Sequence, residues 1–307
     1  MTATVFHKLT IQDKEQYDKY YRLSGSPITD MTFNCRYAWD AAFHNEIALI
    51  NDCLVMISDG GCFTDPHMLL PLGVFDASGL MSIIEAVRPV FAERGWKMKI
   101  MGIDEGKLPF FEKLPSRNVH FCFNNDFSDY LYDAEELRAL SSEKLRKKRG
   151  HINRFLRQYP DCKYTSVTGS DRDDCLLLVK SWCDTKGIDI QNCLDSDYSM
   201  IKRLFDDFDA LDLFGGVIRI GGEVAAFSLG SLGNYNRAFI HFEKANPIYD
   251  GAYTAINQMV LMNEFPEVLT VNREEDLGIP GLRKSKQSYY PIELLKKFSC
   301  RIETDPI

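Results

Sequence analysis

The stretch VIRIGGEVAAFSL, residues 217–229, consists of two apolar runs joined by Gly221 and Gly222. Two adjacent glycines between runs rich in Val, Ile and Phe are typical of a β-hairpin, because its two-residue turn requires positive φ angles. The first half of the chain contains a matching stretch, EIALINDCLVMIS at residues 46–58, in which Asn51 and Asp52 occupy the turn. We therefore predict one tight hairpin in each half of the chain.

Each predicted hairpin is followed by a further strand and then by a helix. In the second half the strand covers residues 237–243 and the helix covers residues 251–263. In the first half the strand lies at residues 69–72 and the helix begins at Asp76 or Ser78. The distance from turn to helix is about 25 residues in the first half and about 28 in the second, which indicates an internal duplication.

The polar segment at residues 124–129 separates the two halves. We therefore predict an N-terminal domain at residues 1–125 and a C-terminal domain at residues 126–307. Strands and helices alternate in both, which indicates an α/β protein.

The composition is that of a folded protein. The chain has 307 residues, of which 45% are hydrophobic and 26% charged, which excludes a disordered, collagen-like or coiled-coil protein. No apolar run reaches the ~18 residues of a membrane span, and the first residues carry no secretory signal. We therefore expect a cytoplasmic protein without a transmembrane segment. The nine cysteines form no Cys-x-x-Cys pair, so we expect reduced thiols and no metal site.

The most uneven charge distribution lies at residues 143–159, EKLRKKRGHINRFLRQY. Apolar residues recur there at helical spacing, which predicts a helix with one packed face and a basic remainder. In a chain of net charge −8, such a helix is either a solvated surface helix or a contact for nucleic-acid phosphates. The residues that would contact phosphates are Lys147, Lys148, Arg149 and Arg154.

A strand, a loop and the start of a helix are predicted in IHFEKANPIYDG, residues 240–251. His241 and Glu243 are two residues apart, so strand alternation places them on one face as a candidate acid/base pair. Gly251 stands at the start of the helix, where backbone N–H groups can bind an anion or a polarised carbonyl. A salt-bridged glutamate, a packed histidine and a turn glycine would give the same pattern.

Charged residues also follow the short apolar run at residues 268–271. In open α/β sheets, ligands bind beyond the ends of strands. The charged residues in question are Glu274, Glu275, Asp276, Arg283, Lys284 and Lys286. They form either a salt-bridged surface or a base together with a cationic oxyanion stabiliser. No Gly-x-Ser-x-Gly, P-loop, Gly-x-Gly-x-x-Gly or His-Glu-x-x-His motif occurs, which removes the usual support for hydrolases, nucleotide kinases, Rossmann enzymes and zinc proteases.

Three stretches carry a family resemblance: LRKKRGHINRFLRQYP at 145–160, FIHFEKANPIYDGAYTAIN at 239–257 and VNREEDLGIPGLRKSKQSYYP at 271–291. With them the chain resembles the C-terminal domain of phosphatidylglycerol lysyltransferases, and more closely the stand-alone proteins built on that domain. The resemblance implies two tandem GNAT-like (acetyltransferase-like) domains with mixed central sheets, an architecture shared with Fem-type peptidyltransferases.

The resemblance also implies an enzyme, an aminoacyltransferase that moves an aminoacyl group from aminoacyl-tRNA to an amine or hydroxyl. The acceptor would be a small molecule, a peptide or a lipid headgroup. The basic helix would then contact tRNA, and Lys286 would lie near the transferred carbonyl. The candidate bases are Asp276, Glu243 and His241, and the candidate substrate-binding residues are Gly251, Tyr253, Asn257, Glu275 and Arg283.

Two alternatives stay open. Acetyl-CoA enzymes of this fold carry Arg/Gln-x-x-Gly-x-Gly/Ala before the helix, whereas residues 247–252 contain a single glycine, so we expect no bound cofactor. An acyltransferase with a CoA or carrier-protein donor is the first alternative. A catalytically inactive tandem GNAT protein that binds RNA or protein is the second.

Overall fold

The computed structural model of the protein describes residues 5–112, 119–187 and 197–303. These residues group into two compact units. The first unit extends to Asp129 and resumes at Leu295, and the second unit is Tyr130–Leu294.

The elements in the N-terminal part of the first unit are β1 (His7–Lys8), α1 (Lys14–Ser24), α2 (Phe33–Ala38), α3 (Asp40–Phe43), β2 (Glu46–Ile50), β3 (Cys53–Ser58), β4 (His67–Leu69), α4 (Ala77–Glu93), β5 (Lys99–Ile103), α5 (Leu108–Glu112) and β6 (Val119–Phe123). Those of the second unit are β7 (Asp129–Asp133), α6 (Ala134–Ala139), α7 (Arg146–Gln158), β8 (Lys163–Ser166), α8 (Arg172–Lys186), α9 (Asp197–Asp206), β9 (Phe214–Ile220), β10 (Glu223–Gly233), β11 (Arg237–Ala245), α10 (Ala252–Asn263), β12 (Thr270–Asn272), α11 (Pro280–Gln287) and β13 (Glu293–Leu295). The chain then enters β14 (Phe298–Ile302), which belongs to the first unit.

Each unit contains one seven-stranded mixed sheet. The orders are β1-β2-β3-β4-β5-β14-β6 and β8-β9-β10-β11-β12-β7-β13. The fourth and fifth strands are parallel in both, β4 with β5 and β11 with β12. The two sheets therefore have the same arrangement, and the predicted α/β class with mixed central sheets is confirmed.

Both predicted hairpins are present. Asn51 and Asp52 have φ angles of 50° and 57°, and Gly221 and Gly222 have 60° and 88°. Two successive positive φ angles give a turn whose twist matches that of the flanking strands. The turn residues therefore set the register of both hairpins.

The sixth strand of each sheet lies between strands that are not its neighbours in the chain. β7 follows β6 but lies between β12 and β13, whereas β14 follows β13 but lies between β5 and β6. The predicted boundary at residue 125 stays a prediction. The assignment of the whole segment 126–307 to the second domain is wrong for β14, because its backbone pairs with β5 and β6.

The predicted basic helix is present as α7, which begins at Arg146 after a 3₁₀ turn at Glu143–Leu145. Its residues Ile152 and Phe155 are buried, and Phe155 packs with Ala252, Ala255 and Ile256 of α10. Within the described parts of the chain, no helix combines the length and apolar character needed to cross a membrane.

A buried ionic network holds the segment before β14 in the first unit. The Lys297 ammonium lies 2.7 Å from Asp129 Oδ1 and 2.9 Å from Asp30 Oδ2, and the Asp129 side chain is fully buried. Asp30 also pairs with Arg36 at 2.9 Å. Removing one partner from a buried pair leaves an uncompensated charge, which is costly.

We expect Lys297→Met to lower the free energy of unfolding by about 3–5 kcal/mol, because two carboxylates lose their common partner. Urea denaturation followed by circular dichroism measures the change. The control is Lys296→Met, because Lys296 pairs with Glu105 at 2.9 Å where both side chains are about half exposed. Its expected effect is below about 1 kcal/mol, and equal effects of the two variants would contradict the structural role of Lys297.

Candidate functional site

The candidate site lies where the parallel strands of the second sheet part. β11 and β12 pair over three residues, ending at Phe239 and Asn272. β11 continues to Ala245, while the chain after Asn272 leaves the sheet as the loop at residues 273–278. Side chains from β11 and from this loop meet there. The carboxyl ends of strands in an α/β sheet are the usual place for a ligand.

A β-bulge separates the two residues predicted to act as an acid/base pair. Leu229 pairs with Phe242 and Gly230 pairs with Ile240, so His241 is an extra residue on β11. An extra residue breaks the alternation of side chains along a strand. Both side chains nevertheless reach the loop after β12, where His241 contacts Glu274 and Glu243 binds Arg273, and their role as an acid/base pair stays a prediction.

His241 is held by polar contacts on both ring nitrogens. Its Nε2 lies 2.8 Å from Ser231 Oγ and its Nδ1 lies 3.1 Å from Glu274 Oε1. Only 3% of the His241 side chain is exposed. The histidine therefore connects β10 to the loop, and its ring nitrogens are both engaged.

A charged cluster forms at the parting of the strands, and we define it as Lys148, Glu243, Asn257, Arg273 and Tyr289. Glu243 Oε1 accepts a hydrogen bond from Arg273 Nη2 at 2.9 Å, and its Oε2 accepts one from Asn257 Nδ2 at 3.0 Å. The side chains of Glu243 and Arg273 are 12% and 10% exposed. Arg273 Nη1 is buried and has no hydrogen-bond partner among the described residues. Burial alone would lower the pKa of Arg273, but the Glu243 charge and a side-chain hydrogen bond with Tyr289 raise it, so the guanidinium stays charged.

Lys148 reaches this cluster from helix α7. Its Nζ lies 3.7 Å from the centroid of the Tyr289 ring, and the Arg273 guanidinium lies 4.8 Å from the same ring. The pKa of Lys148 is lowered to about 8, chiefly by burial and also by the Arg273 charge, while Glu243 acts in the opposite direction. A substantial fraction of Lys148 is therefore neutral near pH 8.

Lys286 supports the loop. It lies in α11, and it is buried. Its Nζ donates to the carbonyl oxygens of Arg273 at 2.5 Å and Glu274 at 3.1 Å, and also to that of Glu275. Glu274 has a φ of 58°, an uncommon conformation that these bonds help to hold. The geometry thus favours a structural role for Lys286, and its role at the transferred carbonyl stays a prediction.

Asp276 is a poor candidate for the general base. It is fully buried and accepts hydrogen bonds from Arg283 at 2.8 and 2.7 Å and from Tyr130 at 2.5 Å. The bonds from Arg283 hold the pKa of this carboxyl well below its usual range, against the opposing effect of burial. Asp276 and Arg283 therefore bind each other, and the predicted roles in proton transfer and substrate binding lack support from this geometry.

The remaining predicted substrate residues lie in three different surroundings. Asn257 belongs to the charged cluster. Gly251 begins α10 with a φ of 93°, and a Cβ there would lie 3.0 Å from His151 O and Phe155 Cβ of α7. Tyr253 on α10 is 40% exposed, and Glu275 contributes its carbonyl to Lys286.

The four residues predicted to contact phosphates divide into two groups. Lys147 and Arg154 are exposed, with Arg154 3.1 Å from the exposed Asp250. Arg149 instead donates to the carbonyls of Leu140 and Ser141, which follow α6. Lys148 faces the charged cluster. Lys148 and Arg149 thus have contacts within the fold, and the binding of phosphates by the four residues stays a prediction.

Sequence reasoning missed Arg273 and Tyr289. Both lie within the stretch at 271–291 that carries the family resemblance, and Arg273 directly follows the apolar run. The position of Arg273 directly after the strand was the available signal, but the acidic residues that follow it were chosen as candidates instead.

Comparison with known proteins identifies the family. The family described as "Phosphatidylglycerol lysyltransferase, C-terminal" matches residues 27–301, nearly the whole chain. This chain belongs to that family. The resemblance inferred from the three sequence stretches is thus confirmed, and membership relates the chain to transferases.

Two relatives carry no assigned activity. A conserved protein of unknown function from Bacteroides thetaiotaomicron is 28% identical and has a TM-score of 0.90, covering 98% of this chain and 100% of that chain. An uncharacterised protein of Mycoplasmoides gallisepticum is 25% identical over 185 residues. That match spans 57% of this chain and 56% of the relative's length.

Two more distant structures define the architecture. FemX has a TM-score of 0.67 at 10% identity and covers 97% of both chains. A tandem GNAT protein from the clavulanic acid biosynthesis pathway has a TM-score of 0.52 at 11% identity, covering 98% of this chain and 99% of that chain. The two units are therefore tandem GNAT-like domains.

We expect Lys286→Met to destabilise the protein by about 1.5–3 kcal/mol, because three carbonyl groups lose a charged donor. Lys284→Met is the matched control, since Lys284 is exposed on the same helix. Thermal and urea denaturation measure both variants. Equal stability of the two variants would contradict the structural role of Lys286.

Proposed function

We propose that the protein transfers an aminoacyl group from aminoacyl-tRNA to an amine or hydroxyl acceptor, and that the charged cluster is the reaction site. The observation that carries this proposal is the two-sided character of α7. The helix directs Lys148 into the cluster while Lys147, Arg154 and Arg157 remain on its exposed face. One helix thus joins a phosphate-binding surface to a group with proton-transfer chemistry.

Arg273 is suited to stabilise the oxyanion that forms when an ester carbonyl is attacked. Its guanidinium lies beside Glu243 at the parting of the strands and stays charged at any working pH. Glu243 and Asn257 fix its position, because Glu243 bonds to both side chains. A fixed donor aimed at developing charge is the largest single contribution in many transfer reactions.

Lys148 is suited to be the general base. A lysine whose pKa is lowered to about 8 exists partly as a free amine near neutral pH, and an amine can accept a proton. This assignment replaces the three bases considered from the sequence. Asp276 and His241 are engaged within the fold, and Glu243 is engaged with Arg273 and Asn257.

The reaction follows from these roles. The acceptor atom forms a bond to the ester carbonyl carbon, the carbonyl electron pair moves to oxygen beside Arg273, and Lys148 takes the acceptor proton. The intermediate then collapses, the ester C–O bond breaks, and the ribose oxygen of the tRNA leaves with the proton from Lys148. No further reactant is needed, because the aminoacyl ester is already activated.

The surroundings of Gly251 support an RNA donor over an acyl-CoA donor. In CoA-dependent enzymes of this fold, the helix after the fourth strand receives the pyrophosphate at its N-terminus. Here α7 lies against that position, with its backbone and Phe155 in contact distance of Gly251. Tyr159, which follows α7, also contacts the preceding loop, because its ring centroid lies 5.2 Å from that of Tyr249.

The rate of transfer is expected to rise with pH through about 8, because the base must be neutral and the pKa of Lys148 lies there. Lys148→Met should lower the rate about 10²–10⁴-fold and remove this pH dependence. Single-turnover assays with aminoacyl-tRNA across this pH range measure both. The exposed Lys147→Met should retain the wild-type pH profile, whereas a flat wild-type profile would exclude Lys148 as the base.

Affinity for tRNA is expected to fall with salt, and the slope reports the number of phosphates that the protein neutralises. Replacing the exposed Lys147 and Arg157 by Gln should reduce the log–log slope by about 0.7–0.9 for each phosphate that is no longer neutralised. Fluorescence anisotropy with labelled tRNA measures the slope. Lys163→Gln, on β8, serves as the control, and an unchanged slope in the double variant would show that α7 is a solvated surface helix.

A further inference from the structure

A cavity of about 240 Å³ lies beside the charged cluster in the second unit. It is half open to solvent and is lined by residues of β7, α6 and the segments before α7 and after α11. The lining residues used below are Tyr132, Asp133, Glu136, Lys144, Tyr289 and Tyr290. Tyr132 and Tyr289 also face Arg273, whose guanidinium lies 5.7 and 4.8 Å from their ring centroids. The cavity and the cluster therefore share two aromatic walls.

The charge of the cavity favours a cation. Asp133 and Glu136 contribute two carboxylates, and Lys144 contributes one ammonium 3.1 Å from Glu136 Oε2. The formal charge of the lining is therefore −1. Asp133 uses Oδ1 to accept the backbone N–H of Glu136 at 2.8 Å, which caps α6. A phosphate group would meet two carboxylates here and would be repelled.

The aromatic walls favour a cation as well. Three tyrosine rings line the cavity, and the face of an aromatic ring attracts an ammonium group. Tyr290 has a φ of 55° and is half exposed, and Lys144 Nζ lies 5.9 Å from its ring. Tyr289 receives Lys148 at 3.7 Å from its ring centroid. Both tyrosines thus already have ammonium groups as neighbours.

We propose that this cavity binds the ammonium group of a small diamine, which is the acceptor of the transferred group. The inference rests on the proposed function. A volume of about 240 Å³ equals that of about eight liquid waters, which suits a short aliphatic diamine. One amino group is held as an ammonium between Asp133, Glu136 and the tyrosines. The second amino group reaches the charged cluster and forms the amide bond, losing its proton to Lys148 while the tRNA ribose oxygen leaves.

Binding of 1,4-diaminobutane to the full chain without tRNA, measured by titration calorimetry, tests the cavity separately from transfer. Asp133→Asn keeps a side chain that can cap α6 and removes the charge, and Glu136→Gln keeps the shape of the side chain. Each variant should bind the diamine at least about tenfold more weakly, because the bound ammonium no longer meets a carboxylate at that position. Glu135→Gln is the control, since Glu135 is on the same helix with 75% of its side chain exposed.

Tighter binding of glycerol 1-phosphate than of the diamine, or equal binding by wild type, Asp133→Asn and Glu136→Gln, would overturn the proposal. Competition of an amino acid methyl ester with the diamine, without acylation of the diamine in the presence of aminoacyl-tRNA, would assign the cavity to the donor and also overturn it. If the diamine binds as expected but aminoacyl-tRNA donates to no amine, the proposed function fails and the cation site stands.

Discussion

The ion pair between Glu243 and Arg273 is the constraint on which the site depends. It joins the end of β11 to the loop after β12, and both side chains are about nine-tenths buried. Two charges removed from water must be compensated by further polar contacts. Asn257 supplies one for the carboxylate, and Lys286 fixes the loop that carries the guanidinium. The orientation of the Arg273 guanidinium is thus a consequence of how this pair is buried.

Local patterns in the sequence predicted the elements but not the order of the sheets. The turns at Asn51 and at Gly221 were predictable because they need positive φ angles that few residues adopt. The positions of β7 and β14 depend instead on contacts between distant residues. A strand of five residues fits several neighbours equally well, so its sequence does not specify which sheet it enters.

The site was predicted in part, and the failures have physical causes. Glu243 was found because it lies near a strand end, and Asn257 because it lies in a stretch that carries the family resemblance. The bulge at His241 could not be predicted from the sequence, because one inserted residue leaves the apolar pattern unchanged on either side. The roles of Lys286 and Asp276 depend on which partners lie near them in the fold. Lys286 binds backbone carbonyls and Asp276 binds Arg283, so neither group is available to a substrate. The inward direction of Lys148 follows from the rotation of α7 against α10, which a run of four basic residues does not reveal.

The late position of β14 in the chain sets the order in which the protein can be completed during synthesis. β14 leaves the ribosome after every strand of the second sheet, because its residues follow β13 in the chain. Until then β5 and β6 lack the strand that lies between them, and their backbone donors and acceptors face solvent. The first unit, although made first, is therefore the last to close. A nascent chain spends most of its translation with two open strand edges, the state that chaperones bind and that aggregation begins from.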